Sequence, residues 1–307
     1  MVTEMVGEIL RLKREKKAII LAHNYQRGEI QDIADFVGDS LELSKKATEV
    51  KCDVIVFCGV HFMAETAAIL NPEKIVLLPE IDAGCPMADM IDGEKLKKWA
   101  SQYPDTPVVS YVNTTAEVKA LSYVCCTSAN APEIVKAVPS QRVLFVPDKN
   151  LALWAKRKVP QKEIIFWDGF CPTHHMIRRE DVMRAKESYP HALVVVHPEC
   201  RPEVIELADH VASTSGMVRF ANKSNAKDYI IGTEEGIIYR LKKENPQKNF
   251  YPLKKTMVCP NMKVTTLESV YNALKEMKHV IKVSEEIRIK AKEALDRMFE
   301  LYHPSNR

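Results

Sequence analysis

The chain has 307 residues, 46% of them apolar and 28% charged, with a formal net charge of +3. That is enough apolar chain for one large domain or two to three small ones, and the near balance of charge argues against nucleic acid or an anionic membrane as the main partner. No apolar run approaches the ~18–20 residues of a membrane span, and the first residues lack the apolar centre and cleavage site of a secretion signal, so a cytoplasmic protein is expected.

In residues 3–17, apolar positions alternate with Glu, Arg and Lys, which predicts an amphipathic helix. Residues 18–22 form a short apolar run of the kind a buried parallel strand shows, ending at His23, Asn24 and Tyr25. A helix is predicted over 29–37, stopped by Gly38, with Asp39 and Ser40 capping a second helix through Glu49. Strands are predicted at 54–57 and 74–78, with a helix between them. The second strand leads to Cys85-Pro86, and helical sequence then runs to about Tyr103. The same order follows twice more. Strands at 108–110, 142–146 and 163–167 lead to Cys171-Pro172, and strands at 192–196 and 229–231 lead to Cys259-Pro260. An amphipathic helix over 285–301 closes the chain.

Cys-Pro occurs three times, with 86 residues between the first two cysteines and 88 between the second and third. Two further features keep step with it. His23, Tyr111 and His197 stand at strand ends 88 and 86 residues apart, and Ser40, Ser128 and Thr214 each follow 17 residues later. Repeats of this length are βαβ-type units rather than solenoid modules, and strands alternating with helices imply parallel sheets. The expected fold is therefore α/β: three homologous three-layer domains with small parallel sheets, set with pseudo-threefold symmetry around a central cavity. The domains fall at residues 1–103, 104–187 and 188–307, the last including the closing helix. Ligands in such folds bind beyond the carboxyl ends of the strands, where all three sets of polar residues lie.

Eight cysteines without a secretion signal or any CxxC pair point to thiols or metal ligands rather than disulfides. Cys52, Cys58, Cys125, Cys126 and Cys200 are read as small buried hydrophobes. The phased Cys85, Cys171 and Cys259 are read as ligands facing one centre. Three thiolates leave a four-coordinate zinc one ligand short, which His174 would close. They equally suit a four-iron cluster whose fourth iron is open and acts as a Lewis acid. Spacing leaves both readings open.

Around that centre the strand-end residues His23, Tyr25, Tyr111, Asn113, His197 and Glu199 offer imidazoles, phenols, an amide and one carboxylate. Glu199 is the only acid among them and the natural general base. Hydroxyls at helix starts, Ser40, Ser128 and Thr214, suit a small polyanionic substrate. On helix faces, His61, Glu65, Glu117 and Lys119 are expected to be solvated or locally paired, as are the basic stretches 11–17 and 240–243. Glu234 and Glu235 fit neither group.

The runs LAHNYQ, GDSLELS, YVNTTAEVKA, CTSANA, HPEC, STSGM, GTEEG and VCPNMK, in order across residues 18–275, resemble the quinolinate synthase family. The resemblance implies the same pseudo-threefold fold and one [4Fe-4S] cluster per chain, held by Cys85, Cys171 and Cys259 with one iron open to substrate. The single Cys259 matches the form with three cluster cysteines rather than the form with a CxxCxxC near its end. The implied reaction condenses iminosuccinate with dihydroxyacetone phosphate to quinolinate, releasing phosphate and water, in NAD biosynthesis. The iminosuccinate would come from an aspartate oxidase or dehydrogenase. By the same resemblance His23, Ser40, Tyr111, Asn113, Ser128, His197, Glu199 and Thr214 contact substrate, with Val112 and Pro198 contributing backbone. His23 and Tyr25 would handle the phosphate-bearing substrate, Glu199 would be the acid/base, and His174 would lie near the cluster. Two alternatives remain on the residues alone: another open-cluster hydro-lyase acting on a small dicarboxylate, and a non-enzymatic α/β module with structural zinc.

Overall fold

In the first third of the chain Ile20, Ala22, Val54, Val56 and Cys58 pack to one side, and Leu21, Ile55 and Phe57 to the other. A period of two with both sides apolar is what a strand buried on two faces dictates. The strands β1 (Ala18–His23), β2 (Phe36–Gly38), β3 (Val54–Cys58) and β4 (Ile75–Leu77) accordingly form a parallel sheet in the order β2-β1-β3-β4. The structure, a computed structural model, describes residues 2–302.

The pattern recurs twice. β5 (Val108–Tyr111), β6 (Val124–Cys126), β7 (Arg142–Val146) and β8 (Glu163–Phe166) form a parallel sheet in the order β6-β5-β7-β8. β9 (Leu193–Val196), β10 (His210–Val211), β11 (Asp228–Gly232) and β12 (Asn249–Pro252) form the third, in the order β10-β9-β11-β12. Each sheet is sandwiched by helices. In the second, Val109, Val143 and Phe145 face one apolar cluster and Val108, Leu144 and Val146 the other. In the third, Val194 and Ile230 are separated in the same way from Val195 and Ile231.

The fold is α/β as the sequence predicts, and β7 and the closing helix Glu285–Leu301 take the predicted residues. The short edge strand of every sheet was not anticipated. Residues 29–37 do not form one helix: the helix Gly28–Ile33 ends early, and Phe36–Gly38 pairs with β1. Asp35 makes this break. Its N–H donates to the Ile20 carbonyl at 2.9 Å, and its carboxylate accepts from the Ile20 N–H at 2.8 Å. Asp209 does the same for Val194, with both bonds at 2.8 Å. In the middle sheet the Tyr123 N–H donates to the Val108 carbonyl at 2.9 Å. Asp35, Tyr123 and Asp209 are 88 and 86 residues apart, so the sequence repeat reaches the hydrogen bonds that start each edge strand.

The last part of the chain leaves the third sheet. Helix Leu267–Glu276 packs with the N-terminal helix Val2–Glu15 on the first sheet, through Leu267, Val270 and Leu274 beside Ile9 and Leu12. Residues 279–281 run along β4, where the Leu78 N–H donates to the His279 carbonyl at 3.1 Å and the Ile281 N–H to the Val76 carbonyl at 2.9 Å. Helix Glu285–Leu301 then buries Ala291, Ala294, Leu295 and Met298 in the core of the middle sheet. Among the described residues no helix is long and apolar enough to cross a membrane.

Candidate active site

Three loops beginning Cys-Pro point into one cavity of about 70 Å³. Proline supplies a fixed φ at the first position of a helical turn and has no N–H to satisfy there. Cys171 and Cys259 accordingly sit at the start of short helices, Pro172–His175 and Pro260–Lys263, and a 3-10 turn, Ala88–Met90, follows Cys85. The next free amides of each turn reach the sulfur: those of Met87 and Ala88 for Cys85, His174 for Cys171, and Asn261 and Met262 for Cys259. Burial pushes the Cys85 thiol up to about 12 and raises the other two. All three are neutral thiols at pH 7, so metal loading would release protons.

The cavity wall also carries His23, Tyr25, Ser40, Tyr111, Asn113, Ser128, His174, His197, Glu199 and Thr214, drawn from all three sheets. His23 and Tyr111 end β1 and β5, and His197 directly follows β9, the strand with the equivalent position in the third sheet. Ser40 and Thr214 are the first residues of ten-residue helices, capped by Asp39 and Ser213, whereas Ser128 lies in the turn before helix Ala131–Ala137. Two residues of the predicted set are not on this wall. Val112 is buried in the middle core with its N–H donating to the Cys126 carbonyl at 2.9 Å. Pro198 faces a separate open groove of about 640 Å³ lined by Lys136, Lys158, Arg219 and Lys223.

A continuous polar network crosses the cavity. Glu199 Oε2 lies 2.6 Å from His174 Nδ1 and 3.5 Å from His197 Nδ1. His174 Nδ1 also approaches Cys171 Sγ at 3.2 Å, and its Nε2 meets Thr233 Oγ1 at 2.8 Å. Thr233 Oγ1 is in turn 2.5 Å from the Tyr25 hydroxyl. The His197 ring stacks on His174 with centroids 4.6 Å apart, and its Nε2 is 3.2 Å from Ser128 Oγ. His23 packs edge-on against Tyr25. Thr214 Oγ1 accepts from Asn24 Nδ2 at 2.8 Å.

Burial sets the protonation of these groups. It raises the Tyr25 and Tyr111 phenols, and the neighbouring Glu199 charge raises them further, so both remain O–H donors. Burial lowers His23 and His197 to about 3, leaving them neutral. It would raise Glu199, but the neighbouring His174 imidazole, its hydrogen bond and the nearby Tyr111 hydroxyl outweigh it and hold the carboxyl at about 2. Two buried acceptors on this wall have no hydrogen-bond partner among the described residues: Glu199 Oε1 and Asn113 Oδ1. Orphaned buried acceptors are rare in folded proteins, and those in a cavity mark where a ligand's donors belong.

For metal binding, the three soft sulfurs on one wall suit iron or zinc. The tightest donor group is different: Cys171, His174 and Glu199, whose ligand atoms all lie within 4.8 Å of one another. Further residues support the site: Thr233 and Asp148, which carry no expectation from the sequence, and Glu234, which the sequence leaves unassigned. Thr233 bridges Tyr25 and His174, and Asp148 and Glu234 are fully buried behind the cysteine loops. A phase signal was present, because Asp148 and Glu234 each stand 37 residues after a strand-end residue, Tyr111 and His197. Cys58, Cys125, Cys126 and Cys200 are buried and Cys52 half-buried. Lys119 differs from its expected place on a helix surface: it is fully buried and donates to the Thr114 carbonyl.

Three parallel sheets that direct thiols, imidazoles, phenols and one carboxylate into a shared buried cavity define an α/β enzyme of small substrates, with cysteines and a group of side chains able to hold a metal in its cavity. A family model described as Quinolinate synthetase A protein matches residues 7–300. The chain is 73% identical over 301 residues to the quinolinate synthase of Thermodesulfovibrio yellowstonii, covering 98% of this chain and 99% of the relative. It is 58% identical over 294 residues to that of Caldicellulosiruptor saccharolyticus, covering 96% and 97%. It is 56% identical over 295 residues to quinolinate synthase 1 of Methanosarcina acetivorans, again covering 96% and 97%. The chain belongs to the quinolinate synthase family.

Proposed function

We propose that the chain condenses iminosuccinate with dihydroxyacetone phosphate to quinolinate in the central cavity, releasing phosphate and water. Cys85, Cys171 and Cys259 would hold a [4Fe-4S] cluster, one per chain. An iron without a protein ligand would supply Lewis acidity toward the nitrogen or oxygens of a substrate. The observation that carries the reading is the pair of orphaned acceptors, Glu199 Oε1 and Asn113 Oδ1, on the wall that also bears the three sulfurs.

The side chains divide the work by their protonation. Glu199 accepts a proton at Oε1 while Oε2 stays bonded to His174, so the ionised carboxylate and the imidazole act together as base and then acid. Tyr25 and Tyr111, kept protonated, donate hydrogen bonds to anionic oxygens, and neutral His23 lies beside Tyr25 at the end intended for the phosphate-bearing substrate. Ser40 and Thr214 offer hydroxyls at the starts of two helices, where N–H groups and the helix dipole favour carboxylate or phosphate. Asn113 orients substrate through its amide, and Ser128 does so through the hydroxyl it shares with His197. Burial of the cavity excludes water from steps that eliminate it. The iminosuccinate would be supplied by an aspartate-oxidising enzyme.

The compact group Cys171, His174 and Glu199 favours a second reading, a zinc ion held there. One experiment separates the two. Protein purified without oxygen should be brown, contain about four irons per chain, and form quinolinate from the two substrates. Colourless protein with one zinc would favour the second reading. An intact cluster that yields no quinolinate would sink the first.

A further inference from the structure

Each cysteine loop is tied to the start of the helix that follows the third strand of its unit, and the repeat allows the ties to be compared. A backbone bond is common to all three. The His61 N–H donates to the Ala83 carbonyl at 2.7 Å, the Lys149 N–H to Gly169 at 2.8 Å, and the Glu235 N–H to Met257 at 2.9 Å. A second tie exists in only two units. Asp148 accepts from the Cys171 N–H at 3.1 Å with one carboxylate oxygen and from the Leu151 N–H at 2.8 Å with the other. Glu234 accepts from the Cys259 N–H at 3.2 Å and from the Gly236 N–H at 2.8 Å, and its charge is met by Lys263 at 2.9 Å. Both carboxylates are fully buried. At the same phase in the first unit, 37 residues after His23, stands Val60.

A buried carboxylate is costly unless its oxygens are satisfied, and an apolar residue at that position is evidently compatible with the fold, since the first unit has one. The carboxylates must therefore do something that folding alone does not require. Their shared partner is the amide of a metal-ligating cysteine. Proline has no N–H and the following amides turn to the sulfur, so the cysteine's own amide is the one group left to fix how the thiolate enters the cavity.

We propose that Asp148 and Glu234 are positioning residues for the metal centre, each clamping one cysteine, while Cys85 is held without such a clamp. The inference rests on the assignment of the three cysteines as ligands. Outer partners of this kind orient ligands and tune how tightly the metal is held.

The variants Asp148→Asn and Glu234→Gln keep the volume but set an N–H₂ group against one amide, so one of the two bonds is lost in either orientation. Anaerobically loaded protein is challenged with an iron chelator, and loss of visible absorbance is followed. Each variant should lose its cluster about tenfold faster than the parent chain, roughly the effect of removing one hydrogen-bond partner of a metal ligand. Asp92→Asn, which alters an exposed helix cap with the same side-chain chemistry, should not. Cluster loss at the parent rate in both variants would overturn the proposal. In metal-free protein, brief alkylation read by mass spectrometry should rise at Cys171 alone in Asp148→Asn and at Cys259 alone in Glu234→Gln. An equal rise at all three cysteines would mean general loosening and would also overturn it. A parent chain that binds no cluster fails the ligand assignment instead, and the alkylation pattern still reports on the clamps.

Discussion

At Glu199 one oxygen, Oε2, is held by His174 at 2.6 Å and the other, Oε1, has no close hydrogen-bond partner among the described residues, with the Tyr111 hydroxyl nearby. The carboxylate is thus oriented without being consumed. Replacing it with Gln removes the proton acceptor but not the shape. Glu199→Gln should retain the cluster's visible spectrum while kcat falls by about 10²–10⁴, the usual worth of a positioned acid–base group; turnover within a factor of two of the parent would remove Glu199 from that role. Thr233 acts one step back, sharing one hydroxyl between Tyr25 and His174. Thr233→Val should lower kcat about tenfold or more, equivalent to one lost hydrogen bond of ~1.4 kcal/mol. Thr233→Ser should restore most of it, and an equally poor Ser variant would show that shape rather than the hydroxyl matters.

At the level of elements, the three Cys-Pro turns are equivalent contributors to one wall, so Cys85→Ala, Cys171→Ala and Cys259→Ala should each abolish iron retention and quinolinate formation, measured as iron per chain and product. Full activity in any one would break the assignment of three ligands. Central strands, cysteine phases and the closing helix were legible in the sequence because each rests on a pattern several residues long. Edge strands of two or three residues were not. Phe36–Gly38 carries no periodicity of its own and is made by Asp35 reaching Ile20, a contact that no local pattern of apolar residues displays. In the site, the residues that face the cavity repeat visibly at strand ends. Of those that support them, Asp148 and Glu234 carry a phase of 37 residues from a strand end, whereas Thr233 looks like an ordinary turn residue until its partners are known. The helical pattern places Lys119 on a surface, yet its neighbours cover that surface completely, and its ammonium is paired with the Thr114 carbonyl.

For the whole molecule, burial of neutral histidines has a cost that depends on pH. His23 and His197 are held at about 3 in the folded chain, against an ordinary value near 6.5. As pH falls below 6.5 the unfolded chain takes up protons that the folded chain refuses, so stability present above that pH is lost progressively down to about 3, by up to roughly 1.4 kcal/mol per pH unit for each histidine. The melting temperature of metal-free protein should therefore drop between pH 7 and 4, with a shallower drop in His197→Asn; a flat profile would contradict the buried neutral state. Far from the cavity, Leu295 binds the closing helix to the middle sheet's core, and Leu295→Ala should cost about 2–5 kcal/mol in denaturant unfolding. That helix and the one at Leu267–Glu276 also bear on how the protein is made. The first and second sheets each borrow part of a covering layer from residues 267–301, which are made after both sheets. A growing chain that has already completed β1 to β8 still leaves part of one apolar face of each early sheet uncovered until these two helices have been made.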